Sequence, residues 1–249
     1  AGRSRSAAIA RLADGSRVAL RRLDAELVRR GLARSRETAR ALIESGDVQV
    51  RGLVVSKVNR QVSADDPIKV ADNDANRWVS RGSGKLIGAL DAFPVIEVAG
   101  RVCLDAGAST GGFTAVLLER GATRVFSVDV GYGQLAWSLQ QDPRVIVMDR
   151  FNVRNLTPSD LDDTPDLVVA DLSFISLRTV LPALRGSVAE ASDFVLMVKP
   201  QFEVGRELLG KNGVVRDPAT RADAVINVAR SAEKIGLGCA GIAASPLPG

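Results

Sequence analysis

Between residues 101 and 199 the sequence repeats one pattern, a short apolar run that closes with a charged residue. Runs of this length, rich in Val and Leu, are typical of strands that are buried on both faces. Helical stretches accompany them, most clearly Leu177 to Leu184 and Ala219 to Lys234. Strands and helices in alternation predict a doubly wound parallel α/β sheet. The predicted strands are Arg101–Asp105, Val125–Val130, Val145–Met148, Leu167–Ala170 and Phe194–Val198.

The charged residues at the strand ends are the first candidates for a functional site. Ligands of doubly wound sheets bind outside the carboxyl ends of the strands, where the chain leaves the sheet. The sequence therefore directs attention to one residue at the end of each predicted strand: Asp105, Asp129, Asp149, Asp171 and Lys199.

A glycine-rich segment joins the first predicted strand to a helix predicted over Phe113 to Arg120. It reads DAGASTGGFT from Asp105 to Thr114. Glycines let a backbone pass close to a ligand and adopt positive φ where the turn requires it. No lysine follows the glycines, which disfavours a nucleoside triphosphate, and the spacing is not G-x-G-x-x-G, which disfavours a dinucleotide.

Composition limits the chemistry that the chain can perform. The sequence contains no histidine, so proton transfer falls to carboxylates, lysines, tyrosine or water. The two cysteines, Cys103 and Cys239, lack metal-type spacing, which indicates reduced thiols and no metal. No apolar run approaches the roughly 18 residues of a membrane span, and the first residues do not resemble a signal peptide. We therefore expect a cytoplasmic protein without a membrane partner.

Charge is distributed unevenly along the chain. Residues 1–62 carry 14 Arg and Lys against 6 Asp and Glu, whereas the remainder carries 19 against 23. A basic amino-terminal part joined to a mildly acidic body predicts that a polyanion docks at the amino-terminal part.

The order of predicted elements divides the chain into two domains. Residues 22–71 read as two helices followed by short strands, with Ser35 as a candidate N-cap of the second helix. The polar stretch 72–79 is predicted to be a linker, and residues 80–249 to form the larger α/β domain. Residues 1–21 are predicted to be a disordered extension.

The smaller domain resembles the S4 RNA-binding domain over about fifty residues. The motifs that carry the resemblance are RLD, the SR of the second helix, GDVQV and the closing DDPIKV. The resemblance implies that the two helices bind structured RNA, with guanidinium groups paired to phosphates near a helix N-terminus. The candidate RNA-binding residues are Arg30, Arg34, Ser35, Arg36 and Lys57.

The larger domain contains five specific segments: SRGSGKL, CLDAGASTGGFT, DVGYGQLAW, VVADLSFISL and MVKPQFE. With these segments, the chain from Arg22 to Gly249 resembles the TlyA (haemolysin A-type) family of S4-fused ribosomal RNA 2′-O-methyltransferases. The resemblance implies a class I, Rossmann-like methyltransferase fold, S-adenosyl-L-methionine as cofactor, and ribosomal RNA or ribosomal subunits as partner, with cytidine in one or both subunits as target. The implied cofactor-binding residues are Asp105, Gly107, Ala108, Ser109, Thr110, Gly111, Gly112, Phe113, Asp129, Val130 and Asp149.

The same resemblance implies a Lys-Asp-Lys-Glu catalytic set, and Lys85, Asp171 and Lys199 match its first three members. The attacking 2′-hydroxyl is a very weak acid, so the site must hold its oxygen and take its proton. A lysine beside a second ammonium group loses its proton more readily. Lys199 is therefore assigned as the base, Lys85 as the residue that helps to hold the oxygen, and Asp171 as the residue that orients both ammonium groups.

The fourth member, a glutamate, is implied shortly after SPLPG, where the sequence reaches Gly249. Glu203 is not assigned to that role. The last strands of a methyltransferase sheet would come from the same region, so we expect a sheet whose C-terminal edge is missing. An RNA-binding protein with an inactive methyltransferase domain therefore stays open as an alternative.

Two further alternatives are disfavoured. A membrane-active haemolysin would need a membrane-inserting segment, and the sequence offers none. Methylation of a pyrimidine carbon usually needs a nucleophilic cysteine, and neither Cys103 nor Cys239 is well placed. Methylation of an exocyclic amine is disfavoured because the fourth strand is followed by Asp171-Leu172-Ser173-Phe174 rather than by an Asn/Asp-Pro-Pro-aromatic motif.

Overall fold

A computed structural model of the chain describes residues 20–33, 35–71, 78–80, 82–210 and 213–247. The chain divides into two compact units between residues 76 and 77. The predicted disordered extension lies outside the described residues up to residue 19, and so does most of the predicted linker.

Two predicted boundaries shift by a few residues. Arg21, expected in the extension, belongs to a short strand. Trp78 and Val79, expected in the linker, pack against the apolar core of the second unit. Both differences follow from contacts with residues that are distant in the sequence.

The first unit is a small α+β domain. Helices α1 and α2 pack on a three-stranded antiparallel sheet of order β3-β2-β5, and β1 pairs with β4. The element bounds are β1 Arg21–Arg22, α1 Leu23–Arg29, α2 Arg36–Glu44, β2 Val48–Val50, β3 Leu53–Val54, β4 Gln61–Val62 and β5 Ile68–Val70.

Helix α2 begins where its sequence predicts. Ser35 is the N-cap, and its Oγ accepts a hydrogen bond of 3.1 Å from the amide of Thr38, which satisfies one of the free donors of the first turn. At the other end Gly46 takes a φ of 82°, a left-handed conformation that ends the helix and costs little at glycine. The buried face of the helix carries Ala39, Leu42 and Ile43.

A buried ionic network ties α1 to the turn before β5. Glu26 is fully buried, and its carboxylate accepts from Arg29 and from Arg30 Nε at 2.7 Å. These hydrogen bonds, Arg29 first, lower the pKa of Glu26 to about 2 despite its burial. The remaining donors of Arg30 bind three backbone carbonyls, those of Ser63, Ala64 and Asp66. Arg30 is thus committed to the interior of the unit.

The second unit contains a five-stranded parallel sheet of order β10-β9-β6-β7-β8. This confirms the doubly wound α/β fold. The strands are β6 Val102–Ala106, β7 Arg124–Val128, β8 Val145–Met148, β9 Leu167–Ala170 and β10 Asp193–Leu196. The helices are α3 Ser83–Ala92, α4 Gly112–Glu119, α5 Trp137–Gln140, α6 Leu177–Gly186, α7 Pro200–Glu203 and α8 Pro218–Glu233.

Apolar side chains of the sheet alternate between two cores. Cys103 and Val169 point to the core that contains α3 and α4, whereas Leu104 and Val168 point to the core that contains α6 and α8. A strand covered on both faces needs apolar residues at successive positions, which explains the unbroken runs in the sequence.

The sheet ends at β10 on one side. Within the described part of the second unit no strand pairs with the outer edge of β10. Phe194, Val195 and Leu196 are accordingly only partly buried, whereas every residue of β9 is buried.

Candidate active site

The site lies where the order of the strands reverses. From β6 the chain continues to β7 on one side, and β9 and β10 extend the sheet on the other, which leaves a crevice at the carboxyl ends of β6 and β9. A cleft of about 440 Å³ opens there. It is lined by Ser80, Gly82, Lys85, Gly107, Ala108, Ser109, Thr110, Gly112, Phe113, Asp171, Ser173, Lys199, Gln201 and Phe202.

The glycine-rich loop forms one wall of this cleft. The amides of Gly107 and Ala108 both donate to the carbonyl of Val128 at the end of β7. Gly107 has a φ of 87°, and a Cβ there would lie 3.2 Å from the carbonyl oxygen of Asp171. Glycine therefore permits the loop to lie directly against the residue that follows β9.

Gly111 does not line the cleft, but it lies against Leu135 and Leu139 on the other side of the loop. Its φ is 95°, and a Cβ there would lie 2.2 Å from Leu139 Cδ1 and 2.8 Å from Leu135 Cδ1. The segment before and within α5 therefore packs onto the loop only because residue 111 has no side chain. The amide of Ala136 also donates to the carbonyl of Thr110 at 3.2 Å.

Two predicted cofactor ligands hold the loops beyond the cleft. Asp129 accepts from the amide of Ser109 at 2.8 Å and from that of Gly131 at 2.7 Å. Asp149 accepts from the amide of Gly133 at 2.8 Å. Both carboxylates keep further lone pairs for hydroxyl or amino donors. The third predicted residue of this group, Val130, is exposed.

Asp105 is buried beneath the loop. Thr114 Oγ1 donates to its Oδ2 at 2.7 Å and also contacts Ser127 Oγ at 2.8 Å. Its Oδ1 has no hydrogen-bond partner among the described residues. Burial raises the pKa of Asp105 to about 7, although the hydrogen bonds from Thr114 act in the opposite direction. A buried acceptor without a donor fits a cationic or amino group bound nearby.

The raised pKa of Asp105 predicts a pH-dependent stability. The carboxyl group binds its proton more tightly in the folded protein than in the unfolded chain. Its contribution to the free energy of unfolding is therefore fully present below about pH 4 and is lost as the pH rises to about 7. Asp105→Asn keeps a neutral group at this position. In denaturant unfolding, the free energy of unfolding of the variant should therefore rise by a few kcal/mol relative to that of the wild type between about pH 4 and pH 8.

Asp160→Asn is the control for this titration. Hydrogen bonds from the side chain and amide of Thr157 lower the pKa of Asp160. The contribution of Asp160 to the free energy of unfolding is therefore present above its usual pKa and is lost as the pH falls, which is the opposite of the trend expected for Asp105. An Asp105→Asn variant whose stability changes with pH in parallel with the wild type would contradict the assignment of the proton to Asp105.

The structure brings Lys85, Asp171 and Lys199 together at the mouth of the cleft. Lys85 stands in the first turn of α3, Asp171 directly follows β9, and Lys199 directly precedes α7. Lys85 Nζ donates to Asp171 Oδ2 at 2.8 Å, and Lys199 Nζ forms an ion pair with Oδ1 at 2.8 Å. The three side chains are 14 to 17% exposed, so they can reach a substrate while water is largely excluded.

One carboxylate thus pairs with two ammonium groups. Burial alone would raise the pKa of Asp171, but its contacts with Lys199 and Lys85 outweigh burial and hold that pKa below its usual value. Asp171 stays ionised, and the group of three carries a net positive charge. Such a site attracts a phosphodiester backbone and stabilises a developing oxyanion.

Sequence reasoning did not single out Ser173 and Phe202, which line the cleft, or Phe174, whose ring lies beside that of Phe202. Ser173 Oγ accepts a hydrogen bond of 2.8 Å from Lys199 Nζ. Phe174 is 92% exposed at a φ of 64°, and its ring lies 5.3 Å from that of Phe202. An exposed aromatic ring held in a strained conformation beside reactive groups is a surface on which a nucleobase can stack. The signal was present in the sequence, because Ser173 and Phe174 stand three and four residues after the end of β9 at Ala170.

Cysteine chemistry does not fit this site. Cys103 is fully buried in β6 and packs in the apolar core, and burial raises the pKa of its thiol to about 12. Cys239 is exposed, outside the cleft. Over the described ranges no three His, Cys, Asp or Glu side chains form a group that could hold a metal ion.

The predicted RNA-binding residues of the first unit differ in how exposed their side chains are and in which contacts they already make. Arg36 is 60% exposed and pairs with the buried Asp24 at 2.8 Å. With Arg22 and Arg40 it faces a shallow hollow. Lys57 is exposed, Ser35 caps α2, Arg30 is engaged internally, and Arg34 lies outside the described residues.

The fold and the site together define a Rossmann-like transferase joined to a small RNA-binding module. Residues 78–249 match the FtsJ-like methyltransferase family, and residues 21–68 match the S4 domain. The chain is 58% identical over 228 residues to the 16S/23S rRNA (cytidine-2′-O)-methyltransferase TlyA of Mycobacterium tuberculosis, covering 92% of this chain and 85% of the relative.

Two further proteins extend the comparison. Hemolysin A of Brachyspira hyodysenteriae is 37% identical, covering 80% of this chain and 82% of its own length. A solved structure of a protein from Streptococcus thermophilus is 37% identical with a TM-score of 0.69, covering 93% of this chain and 84% of that one. The chain belongs to the TlyA family of FtsJ-like methyltransferases with an S4 domain.

Among the described residues no helix is long and apolar enough to cross a membrane.

Proposed function

We propose that the protein transfers a methyl group from S-adenosyl-L-methionine to a ribose 2′-hydroxyl of ribosomal RNA, with cytidine in one or both ribosomal subunits as the target. The observation that carries the proposal is the convergence of Lys85, Asp171 and Lys199 beside the glycine-rich cleft. The activity named for the relative from M. tuberculosis supports the same substrate. We place its action in the cytoplasm, where ribosomal subunits are found.

The glycine-rich loop and the strand ends around it would hold the cofactor. Gly107 lets the backbone approach closely, Asp105 offers a buried acceptor to an amino group, and Asp129 and Asp149 offer carboxylates to ribose hydroxyls and to adenine. When bound, S-adenosyl-L-methionine supplies an electrophilic methyl group on a sulfonium.

The three charged residues would handle the proton of the 2′-hydroxyl. Lys199 accepts this proton as a free amine, after it has released its own proton to solvent through the cleft. Asp171 orients the amine and stabilises the ammonium that forms. Lys85 keeps its charge and holds the attacking oxygen, which carries negative charge as its proton leaves. Lysines and a carboxylate provide these steps without a metal ion.

Binding of the target nucleotide would involve the aromatic side of the cleft. The ring of Phe174 is exposed and contacts the ring of Phe202. It would stack on a base whose ribose faces Lys199. The target is then an unstacked nucleotide, because a base paired within a helix does not offer its face to an aromatic ring.

The first unit would bind structured RNA. Arg22, Arg36 and Arg40 face one hollow at the N-terminal half of α2, where guanidinium groups and the helix dipole both favour phosphate. Lys57 is exposed and adds positive charge. Arg34 is retained as a candidate from the sequence alone, whereas Arg30 supports the domain fold.

Mass spectrometry of ribosomal RNA tests the proposal. Ribosomal subunits are incubated with the protein and S-adenosyl-L-methionine, and the RNA is digested to nucleosides. The expected result is one additional methylene mass on the ribose of a cytidine, which is absent when Lys199→Ala replaces the wild type. A mark on a base, or binding of the cofactor without any mark, would favour base methylation or an inactive RNA-binding protein respectively.

A further inference from the structure

We infer that Glu203, together with Arg178, is a positioning residue that holds Lys199 and the loop after Asp171 in their working arrangement. This inference rests on the proposed function and deepens it. Glu203 stands at the end of VKPQFE, and its side chain is only 1% exposed, yet none of the proposed catalytic steps uses it.

The carboxylate of Glu203 joins two segments that are distant in the sequence. Its Oε1 accepts from the amide of Leu177 at 2.6 Å, and its Oε2 accepts from Ser176 Oγ at 2.6 Å. Arg178 Nε donates to the same Oε2 at 3.2 Å, and Arg178 Nη2 donates to the backbone carbonyl of Glu203 at 2.8 Å. The hydrogen bonds to a buried carboxylate are costly to break, because each lost donor leaves the buried negative charge less well compensated.

The two segments joined by Glu203 are those that carry the catalytic groups. One single-turn helix connects Lys199 to Glu203, and the amide of Phe202 donates to the carbonyl of Lys199 at 2.9 Å. On the other side only four residues separate Asp171 from Ser176. A displacement of Glu203 would therefore be transmitted to Lys199 over one helical turn.

The segments are fastened at both ends. At the cleft, Lys199 contacts Asp171 and Ser173 at 2.8 Å each. At the other end stands the Glu203 latch, defined by Glu203, Ser176, Leu177 and Arg178. Between the two ends, Phe174 keeps a positive φ, a strained state that persists only where the surroundings hold it on both sides.

The experiment compares Glu203→Gln and Arg178→Ala with Asp217→Asn. Asp217 is a matched carboxylate in the same unit, since it caps α8 by accepting from the amide of Thr220 at 2.8 Å and from its hydroxyl at 2.6 Å, and it does not line the cleft. We expect kcat to fall about tenfold or more in Glu203→Gln and about threefold to tenfold in Arg178→Ala, because small misplacements of reacting groups are costly. KM for RNA and Kd for S-adenosyl-L-methionine should change by less than about threefold.

Asp217→Asn removes a negative charge from the N-terminus of α8 and should therefore lower the Tm slightly, while kcat stays within about twofold of the wild type. Retention of kcat in both latch variants, or a loss of kcat in Asp217→Asn as large as the loss in the latch variants, would overturn the inference. Arg178 is 43% exposed, so its variant remains informative even if Glu203→Gln does not fold.

A second measurement does not depend on methyl transfer. Competitive acetylation followed by mass spectrometry reports how accessible the Lys199 amine is. We expect Lys199 to be acetylated several times faster in both latch variants than in the wild type, and unchanged in Asp217→Asn. If the wild type fails to methylate RNA, the proposed function fails, and unchanged acetylation of Lys199 would separately refute the latch.

Discussion

Lys199→Ala is expected to lower kcat by roughly a thousandfold, within the range observed when a general base is removed, while binding of S-adenosyl-L-methionine changes little. The variant loses the group proposed to accept the 2′-hydroxyl proton, and it leaves Asp171 with Lys85 as its remaining ammonium partner in this cluster. Single-turnover methylation of ribosomal subunits measures the rate, and calorimetric titration measures the Kd for the cofactor.

Two further variants separate charge from proton transfer. Lys199→Arg keeps a positive charge beside Asp171 but stays protonated, so it should be nearly as inactive as Lys199→Ala. Lys234→Ala removes an exposed lysine at the end of α8 and should have wild-type activity. If Lys199→Arg retains activity within about tenfold of the wild type, Lys199 acts through its charge, and the proposed role as base is wrong.

Gly111→Ala is expected to raise the Kd for S-adenosyl-L-methionine by about tenfold to a hundredfold, equivalent to roughly 1.4 to 3 kcal/mol. The added Cβ would lie 2.2 Å from Leu139 Cδ1, so the segment that includes Leu135 and Leu139 must move away from the loop. That segment follows Asp129 in the chain, and its displacement would distort the loop that Asp129 holds through Ser109. Equilibrium binding of the cofactor measures the effect.

Gly100→Ala is the matched control for backbone strain. Gly100 has a φ of 79°, and nothing lies within 4 Å of a Cβ placed there. Both variants therefore incur the cost of about 1 to 2 kcal/mol for a left-handed residue, but Gly111→Ala alone adds a steric clash. Equal cofactor affinity in the two variants would contradict the explanation based on α5.

The sequence predicted those features that depend on local pattern. Strands β8 and β9 have the predicted bounds, since a run of apolar residues enclosed by polar ones defines both ends. The sequence also predicts that Asp171 and Lys199 lie close together, because parallel strands bring their carboxyl ends to one edge of the sheet. Lys85 stands in a helix, and only the family resemblance predicts it beside them. By contrast, β10 ends at Leu196, two residues before its apolar run does.

Features that depend on distant partners were not predicted. The sequence predicts Arg30 to be an RNA-binding residue, but its donors bind Glu26 and backbone carbonyls more than thirty residues away. Glu203 appeared only as a carboxylate that should not be given the fourth catalytic role. Its actual neighbours, Ser176 to Arg178, precede it by about 25 residues. No periodicity or spacing identifies such partners, because they are set by tertiary packing.

The contact between Gly107 and the carbonyl of Asp171 restricts how an enzyme with this architecture can evolve. A side chain at position 107 would meet the backbone of Asp171, which contacts both lysines, so a mutation selected for a new cofactor would also disturb the proposed reaction step. Diversification among descendants of this protein should therefore accumulate on the Phe174 side of the cleft and on the S4 surface. New target nucleotides are accessible by that route, whereas a new group donor is not.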